Sequence, residues 1–541
     1  MLIDLLSQLQ GDWPEQQYTS VSSLRHRQQY SQVFTPFAVA EFMAAWGLKV
    51  RGGVKKVLDP AAGLAVFARA LKAQGAASLQ ITAYETDAQV LHRCQDVVDY
   101  LRPSMDFEFH AQDYLQSGWE ATYDLILANP PYRNFRELTG REQRVEEWSE
   151  KLSVTLSPAT NLYVFFLLKA VAQLRVGGRC AFLIPSDFLQ QDYGEAVKQY
   201  LLRNGLQGIV AFAAEASLFA EVLTTSCIVL IEAGSVAETV EFITVNGMDG
   251  LQGINATLDC HNEQSPGVLR QRLALSALQP AHKWNDCFQI KTTVRLKHST
   301  LFSRWARISR GIATGANDFF LLTQAKADAL GLTASELEPV ISKARHVKDF
   351  YFSEQHWCSS RDSGGEVYLL SPPAKHSPAL MAYLQQGKAM GVHQCYLPRH
   401  RKHWYATEAI ANAPILAGVF NRNGLRFVRN LTGFRHLTAF HGIYPLESGH
   451  DFMDLLMAYL LTPWARQLFQ AQRREYGGGL VKFEPNDLSQ APVADFSALT
   501  ENQQQKILVN FRSGLRFGID VSYENKWLEE IDGVFRELMT D

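Results

Sequence analysis

The 541-residue sequence has few cysteines and no long apolar run. Its seven cysteines are scattered, odd in number and form no CxxC pair, which excludes a disulfide framework and indicates free thiols in a reducing compartment. No apolar stretch approaches the roughly 20 residues needed to span a bilayer. The first ten residues, MLIDLLSQLQ, carry an acid where a signal peptide needs lysine or arginine. We therefore predict a soluble, cytoplasmic protein without a membrane partner.

A strong charge imbalance is also lacking. The formal net charge of −3 predicts no global attraction to an acidic partner, although it is compatible with a local basic surface. With 47% hydrophobic and 20% charged residues, the composition is that of a globular rather than a disordered chain. A chain of this length exceeds what a single core accommodates, so several domains are expected.

Short apolar runs alternate with amphipathic stretches between residues 54 and 232. This alternation predicts a doubly wound α/β domain, in which helices cover both faces of a mostly parallel sheet. The last run follows its neighbour without a full-length helix between them, so the last strand is expected to enter antiparallel. The predicted strands are residues 55–59, 79–85, 106–110, 123–128, 179–184, 207–213 and 226–232.

The alternation of helices and strands is lost after residue 235, where histidine and arginine also become denser. We predict a first domain over residues 1–240, a second domain of mixed α+β structure over 241–490, and a C-terminal helical segment over 491–541. Helical periodicity in the last segment places one set of apolar residues on a single face. These residues are Ile531, Val534, Phe535 and Leu538.

Small and acidic residues follow consecutive predicted strands, at the edge where open α/β sheets bind ligands. The first strand ends in DPAAG (59–63), whose small residues allow a ligand to approach the backbone closely. The second ends in Glu85, which could accept both hydroxyls of a ribose. The third is followed by Asp113 and Tyr114, suited to the amino group and ring face of an adenine. Each feature alone could be an ordinary turn or a solvated acid. Together they predict an adenosine-containing cofactor.

The fourth strand ends in an abrupt corner, Asn129-Pro130-Pro131-Tyr132. Adjacent prolines remove two backbone donors and fix two φ angles, so the chain must leave the sheet at this point. The corner presents an amide and an aromatic ring at the same edge as the preceding features. The alternative is a strand that simply ends in a Pro-Pro turn, with the tyrosine packed down.

With Asn-Pro-Pro-Tyr in this position, the sequence resembles the S-adenosylmethionine-dependent amino-methyltransferases. It most resembles the γ-class DNA adenine-N6 methyltransferases of bacterial type II restriction–modification systems, and the similarity covers most of residues 25–490. One departure is Ala65, which stands two places after Gly63 where that family usually has a second glycine. The similar segments are QVFTP (32–36), NLYVFFLLKAVAQLRVGG (161–178), LFAEVLTTSCIVLI (218–231), GIATGANDFFLL (311–322), RKHWY (401–405) and REYGGGLVKFEPNDL (474–488).

This resemblance implies a seven-stranded methyltransferase sheet, S-adenosyl-L-methionine as the cofactor and a specific double-stranded DNA sequence as the substrate. It also implies a bacterial cytoplasmic enzyme that is associated with the nucleoid when bound to DNA. The resemblance also implies the cofactor contacts by position. Thr35 would hold the methionine moiety, and Asp59, Ala61 and Gly63 would lie along the cofactor. Glu85 would bind the ribose, and Asp113 with Tyr114 would bind the adenine.

By the same resemblance, Asn129, Pro130 and Tyr132 would hold the target base, with Phe219 as a second stacking surface. The Asn129 side-chain oxygen and the Pro130 carbonyl would accept the amino N–H groups, and the prolines would keep both acceptors rigid. The target adenine would have to be flipped out of the duplex, and stacking would offset part of that cost. The same tetrapeptide occurs in methyltransferases of RNA and of protein glutamine, so these substrates are alternatives. A DNA-binding module that has lost activity is a third possibility.

Residues 391–440 contain seven Arg or Lys and one acid, Glu408, interleaved with aromatic residues. This composition predicts a surface that meets phosphates and base edges, as expected of a target-recognition domain. A solvated basic face is the alternative. The candidate DNA-binding residues are Arg401, Lys402, Arg422, Arg474 and Lys482.

Four residues of this basic stretch, His393, Cys395, His400 and His403, have only loose metal-ligand spacing, and no metal is predicted. An attached nuclease is not predicted either, because only about 24 residues precede the block at 25–36 and no Pro-Asp…Asp/Glu-x-Lys arrangement is evident. The cleavage partner is therefore expected to be a separate cognate restriction endonuclease.

Overall fold

The structure, a computed structural model, describes residues 11–132, 141–213, 225–235, 237–254, 258, 267–288, 296–421, 425–476, 480–517 and 526–540. The chain divides into two compact units, Met1–Thr292 with Tyr476–Gly479, and Thr293–Glu475 with Leu480–Asp541. The division falls at residue 292 instead of the expected 240. In the described part of the chain, no helix is long and apolar enough to cross a membrane.

A nine-stranded sheet forms the centre of the first unit, in the order β3-β2-β1-β4-β5-β7-β6-β8-β9. All seven predicted strands are found in it, and β7 runs antiparallel to β5 and β6, as expected. The strands are β1 Lys56–Asp59, β2 Leu79–Tyr84, β3 Met105–His110, β4 Tyr123–Ala128, β5 Leu174–Pro185, β6 Leu206–Phe212, β7 Ser226–Glu232, β8 Thr239–Val245 and β9 Val268–Ala274.

The sheet is larger than the seven strands expected, which corrects the predicted boundary at 240. Strand β8 pairs parallel with β6, and β9 pairs antiparallel with β8. Because these two ladders join residues 239–245 and 268–274 to the sheet by backbone hydrogen bonds, the segment that follows residue 240 is part of the first unit.

Helices cover both faces of the sheet, so the doubly wound arrangement is confirmed. Successive side chains of a strand point to opposite faces, and along β4 Leu125 and Leu127 join one apolar cluster while Ile126 and Ala128 join another. Burial on both faces explains why this strand is an uninterrupted apolar run. The helices of this unit are α1 Trp13–Val21, α2 Leu24–Tyr30, α3 Phe37–Gly47, α4 Val66–Ala73, α5 Ala88–Leu101, α6 Arg141–Leu152, α7 Leu162–Ala172, α8 Gly194–Arg203 and α9 Met248–Gln252.

The strand order changes direction at β1, which has β2 on one side and β4 on the other, both parallel to it. The loops after β1 and β4 therefore diverge to opposite sides and leave a crevice at the carboxyl ends of the strands. Such switch points are where open α/β sheets bind ligands.

The second unit has mixed α+β structure, as predicted. Its strands are β10 Ser299–Leu301, β11 Ala306–Arg310, β12 Leu321–Leu322, β13 Leu337–Ile341, β14 Tyr351–Phe352, β15 Tyr368–Leu370, β16 Ile415–Gly418, β17 Phe420–Asn421, β18 Phe427–Asn430, β19 Arg435–His436, β20 Phe440–Pro445, β21 Arg474–Tyr476, β22 Leu480–Lys482 and β23 Pro492–Ala494. Its helices are α10 Asn317–Phe320, α11 Gln324–Ala329, α12 Glu354–Asp362, α13 Pro378–Ala389, α14 Tyr396–Arg399, α15 His450–Leu461, α16 Pro463–Gln470, α17 Pro485–Ser489, α18 Glu501–Phe517 and α19 Lys526–Met539.

The C-terminal helices α18 and α19 belong to the core of the second unit, so residues 491–541 do not form a separate segment. The predicted apolar face of α19 is buried in that core. Its Phe535 ring packs edge-on against Tyr459, at 4.8 Å between centroids, and against Phe496, at 6.0 Å. Such aromatic pairs stabilise a core beyond the area that they bury.

Candidate active site

A cavity of about 450 Å³ lies at the carboxyl edge of the sheet in the first unit. Its size is in the range of small-molecule sites. It brings together most of the residues predicted from the strand ends. Its wall includes Gln29–Thr35, Pro60–Leu64, Glu85, Thr86, Gln112–Tyr114, Asn129, Pro131, Leu162 and Phe166.

The carboxylate of Glu85 is oriented by the backbone. Its Oε1 accepts N–H bonds from Thr86 at 2.7 Å and Asp87 at 2.8 Å, and its Oε2 accepts from Gly63 at 3.1 Å. Burial raises the pKa of Glu85, which these three hydrogen bonds counteract. Gly63 has φ +53°, a conformation that glycine adopts without strain. Because a carboxylate has about four acceptor positions, Glu85 can still accept hydroxyls from a ligand.

Asp113 also lies on the cavity wall, and its Oδ1 accepts the N–H of Leu115 at 2.9 Å. The neighbouring Tyr114 differs from the expectation, since it is 1% exposed and its hydroxyl donates to Gln173 at 2.6 Å. An ammonium, that of Lys169, lies 4.4 Å from the centroid of the Tyr114 ring. Tyr114 thus lies on the cavity wall, but its hydroxyl is engaged in the core and almost none of its surface is exposed.

Lys169 was missed by the sequence reasoning, although a lysine inside the apolar helix α7 is an unusual signal. It is fully buried, and its Nζ donates to the carbonyls of Tyr114 and Ser117, each at 2.7 Å. Burial lowers the pKa of Lys169 to about 8. These bonds fix the loop that carries Asp113.

Asp59 and Ala65 lie behind the cavity and not on its wall. Both line a small apolar gap together with Phe67 and Ile81. Asp59 accepts the N–H of Ala61 at 3.2 Å, and burial raises the pKa of its carboxyl to about 8. The structure therefore makes Asp59 a support of the turn, which corrects its expected direct place along the cofactor. The methyl group of Ala65, at φ +56°, faces the same gap and does not narrow the cavity.

A second set of wall residues comes from the segment that precedes helix α3. Thr35 is 3% exposed and lies on the wall, as predicted from the Thr-Pro segment. Its neighbours Gln32, Val33 and Phe34 belong to the same QVFTP segment, but the sequence reasoning predicted no place for them in the site. The Phe34 ring lies 3.8 Å from the position that a Cβ would take at Gly63, so the segment covers the turn after β1.

The side chain of Asn129 is held by this same segment. Its Nδ2 donates to the carbonyl of Val33 at 2.7 Å. That bond fixes which end of the amide carries the oxygen, because only the NH2 group can donate to a carbonyl. Among the described residues, the Oδ1 of Asn129 is buried without a hydrogen-bond partner. Because burying an acceptor unsatisfied is unfavourable, this oxygen is suited to a ligand N–H.

Tyr132 is anchored at its hydroxyl, which donates to the carbonyl of Leu183 at 3.2 Å. Burial raises the pKa of Tyr132 well above its usual range. Its ring packs against the apolar cluster under the sheet, while Pro130 is buried and Pro131 lies on the cavity wall. Phe219 lies outside the described residues.

In the second unit, Arg401 differs from the expected DNA-contacting residue. Its Nη2 donates to the carbonyl of Ala313 at 2.6 Å, and its guanidinium lies 5.6 Å from the Phe320 ring. It holds the segment GIATGAN in place. Lys402 is exposed. Lys482 is half-buried, pairs with Glu484 at 2.5 Å and lies over the Phe420 ring.

Arg422 and the side chain of Arg474 lie outside the described residues. The three histidines of this stretch have separate contacts: the Nδ1 of His400 lies 2.6 Å from the carbonyl of Tyr396, His403 stacks on Tyr405, and the His393 ring lies edge-on to Trp404. Cys395 is a free cysteine. Within the described residues, no group of three or more His, Cys, Asp or Glu could hold a metal ion.

The fold and the cavity together define an α/β methyltransferase, since the first seven strands follow the order 3-2-1-4-5-7-6 with only β7 antiparallel to its neighbours. Two family models agree with this assignment. The Eco57I restriction-modification methylase family matches residues 74–219, and the C-terminal domain of the type II methyltransferase M.Eco57I matches residues 285–521.

Relatives extend the match to nearly the whole chain. The type II methyltransferase M.AccI of Acinetobacter calcoaceticus is 34% identical over 536 residues, which cover 97% of this chain and 96% of the relative. M.XamI of Xanthomonas campestris pv. amaranthicola is 24% identical over 86% of this chain and 85% of its own. The DrdV–DNA complex has a similar fold, with a TM-score of 0.58 at 10% identity over 97% of this chain and 61% of that one. The chain belongs to the type II DNA methyltransferases of bacterial restriction–modification systems.

Proposed function

We propose that the protein transfers a methyl group from S-adenosyl-L-methionine to the N6 amino group of an adenine in a specific double-stranded DNA sequence. The observation that carries this proposal is the buried, unpartnered Oδ1 of Asn129 at the wall of the cavity. A neutral acceptor in that place suits an exocyclic amine, which has N–H groups to donate and no charge to balance.

Asn129 and Pro130 are the residues that bind the amine. An exocyclic amino nitrogen is a poor nucleophile because its lone pair is delocalised into the ring. The Oδ1 of Asn129 and the carbonyl of Pro130 accept its two N–H groups, which draws the nitrogen towards tetrahedral geometry. The bond from Asn129 to Val33 supports this role, since it keeps the acceptor oriented before the reaction begins.

The cavity residues fit the cofactor by their chemistry. Bound there, S-adenosyl-L-methionine supplies an electrophilic methyl group on a sulfonium. We assign the ribose hydroxyls to Glu85, the adenine amino group to Asp113, the methionine moiety to Thr35 and close backbone approach to Gly63, all of which lie on the cavity wall. The apolar side chains of Phe34 and Phe166 on the same wall exclude water from the reacting groups.

A base inside a duplex cannot reach this cavity, so the target nucleotide must be flipped out, at a cost of a few kcal/mol. We assign Tyr132 as one stacking surface, and Phe219 as the second. The hydroxyl anchor of Tyr132 supports this role, because a fixed ring loses little freedom when a base stacks on it. Stacking of this kind contributes about 1–3 kcal/mol per base.

The second unit is assigned to target recognition, with exposed Lys402 among the phosphate contacts. Methylation would protect the recognised sequence from a separate cognate endonuclease, which is the role of a modification enzyme.

The test is to expose duplex DNA, RNA and a protein extract to the enzyme with tritiated S-adenosyl-L-methionine, and to identify the product by nucleoside digestion and mass spectrometry. We expect N6-methyladenine in DNA alone, at one sequence context when the DNA is read by single-molecule sequencing. Asn129→Ala protein is the matched control for contaminating activity. Label in RNA or protein only, or methylation of cytosine N4, would refute the proposal.

A further inference from the structure

Asp87 lies two residues after the cofactor acid Glu85, is 1% exposed and receives hydrogen bonds from three directions. Its Oδ1 accepts the N–H of Gln89 at 2.9 Å and so caps helix α5. Its Oδ2 accepts from His26 Nε2 at 2.7 Å and from Gln32 Nε2 at 2.5 Å, and it lies 3.2 Å from the hydroxyl of Tyr18. Burial opposes ionisation, but these hydrogen bonds outweigh it and hold the pKa of Asp87 below its usual range. The buried carboxylate of Asp87 therefore contacts three side chains of the N-terminal segment, those of Tyr18, His26 and Gln32.

The segment between Gln32 and Phe34 is clamped on both sides of Val33. On one side, Gln32 donates to Asp87 and its Oε1 lies 3.2 Å from the hydroxyl of Tyr18. On the other side, the Phe34 ring packs edge-on against the ring of Tyr18, with 5.5 Å between centroids. The carbonyl of Val33, which accepts the Nδ2 of Asn129, thus belongs to a backbone position with a fixed residue before it and another after it.

The same turn also holds the carboxylate of Glu85, whose Oε1 accepts the N–H of Asp87 at 2.8 Å. A series of hydrogen bonds therefore connects the Glu85 carboxylate with the Asn129 amide. Glu85 is bonded to Asp87, and Asp87 to Gln32. The next residue in the chain, Val33, accepts the bond from Asn129.

We propose that Asp87 and Gln32 are positioning residues that set the orientation of the Asn129 amide by docking the N-terminal segment beside the cofactor acid. This inference rests on the proposed function of Asn129 as the acceptor of the target amine. Without the Gln32–Asp87 bond, the carbonyl of Val33 loses its fixed place. The amide of Asn129 then rotates, and its NH2 group meets the target nitrogen in a fraction of molecules.

Gln32→Leu removes both side-chain hydrogen bonds at similar volume, and Gln28→Leu is its matched control. Gln28 lies on the exposed face of the neighbouring helix α2. The measurement is single-turnover methyl transfer at saturating S-adenosyl-L-methionine, together with cofactor affinity by calorimetry and the thermal midpoint of unfolding. We expect Gln32→Leu to react about 10- to 100-fold more slowly, because a misplaced catalytic group loses rate on that scale. The thermal midpoint of Gln32→Leu should fall below that of Gln28→Leu, because a hydrogen bond to a buried carboxylate is lost, so the rates are compared well below both midpoints. A parental rate for Gln32→Leu would overturn the inference.

A second pair of variants tests the hydrogen bond from His26 to Asp87. His26→Gln keeps an N–H donor for Asp87, whereas His26→Leu does not. We expect His26→Gln to retain most of the single-turnover rate and His26→Leu to lose it. Equal rates for the two would show that the donor is not needed and would count against the proposal.

A double-mutant cycle separates this inference from the proposed function. If Gln32 acts through Asn129, Gln32→Leu should slow the parent but leave the Asn129→Ala enzyme unchanged, since neighbouring groups that act as a unit are non-additive. If the rate of the double variant is lowered by the product of the two single-variant reductions, the two residues act independently. That result would overturn the inference while leaving the role of Asn129 intact. A parental rate for Asn129→Ala alone would instead overturn the proposed function.

Discussion

The amide nitrogen of Asn129 donates to the carbonyl of Val33 at 2.7 Å, across 96 positions of the chain. One residue belongs to the corner after β4, and the other to the segment before helix α3. The bond determines which end of the amide carries the acceptor oxygen. Among the described residues this Oδ1 is buried without a hydrogen-bond partner, and the proposed chemistry depends on this orientation.

Asn129→Ala should lower turnover by roughly 100- to 1000-fold, by analogy with the loss of one preorganised hydrogen-bonding group elsewhere. Cofactor affinity should stay close to parental, because Glu85 and Asp113 are untouched. Asn204→Ala, the same change at the end of helix α8, is the control. Methyl-transfer kinetics and calorimetry are the measurements, and near-parental turnover of Asn129→Ala would remove this residue from the mechanism.

Two carboxyl groups at neighbouring strand ends should differ in their effect on cofactor binding. Glu85→Gln removes the charge that accepts three backbone N–H groups, so S-adenosyl-L-methionine should bind about 10- to 100-fold more weakly, as hydrogen bonds to charged groups contribute roughly 1.5–3 kcal/mol. Asp59→Asn keeps an acceptor for Ala61 behind the cavity and should bind the cofactor like the parent. DNA affinity without cofactor should be similar for both. The opposite ranking by calorimetry would mean that Asp59, and not Glu85, contacts the cofactor.

Stability should depend on pH through Asp59. The pKa of this carboxyl is raised by burial from 3.8 to about 8 in the folded protein, so the folded state binds the proton more tightly than the unfolded state. The resulting stabilisation is complete below the unfolded value and is lost as the pH rises through about 8. Asn mimics the protonated carboxyl, so Asp59→Asn should gain in thermal midpoint over the parent as the pH is raised. If the difference in thermal midpoint between Asp59→Asn and the parent is the same at all pH values from about 4 to about 8, the pKa of Asp59 is not raised by folding.

The hydroxyl and the ring of Tyr132 should contribute separately. Tyr132→Phe loses the bond to Leu183, about 1 kcal/mol of stability, and should keep its methylation rate within a few-fold. Tyr132→Ala also loses the stacking surface, so flipping of the target base should become about 1–3 kcal/mol less favourable. Fluorescence of 2-aminopurine at the target position reports the flipped state. If Tyr132→Ala gives the parental fluorescence change, the ring does not hold the base.

The salt dependence of DNA binding should distinguish Lys402 from Arg401. Lys402 is exposed, so Lys402→Ala should reduce the slope of log affinity against log salt by about 0.9, the value for one phosphate contact. Arg401 already holds the carbonyl of Ala313, so Arg401→Ala should lower the thermal midpoint and change the slope less. Lys56→Ala, exposed at the opposite end of β1 from the cavity, is the control. An unchanged slope for Lys402→Ala at every salt concentration would identify a solvated face.

The sequence by itself determined seven of the nine strands of the first unit and the cavity residues that follow the strand ends. The central strands β4 and β7 were recognisable as continuous apolar runs because they are buried along almost their whole length. Gly63, Glu85, Asp113 and Asn129 could be predicted at one edge because each follows its strand directly. The β8–β9 extension was not predictable from that alternation, since it breaks the helix–strand pattern.

Only the tertiary structure decided where individual side chains point. Asp59 stands at the end of β1, which borders the cavity, yet it lines the apolar gap behind the cavity, because packing and not position in the sequence selects the rotamer. The guanidinium of Arg401, a predicted DNA contact, donates instead to the backbone carbonyl of Ala313. The clamp around Val33 includes hydrogen bonds between residues 55 and 96 positions apart, and local patterns carry no information about such pairings.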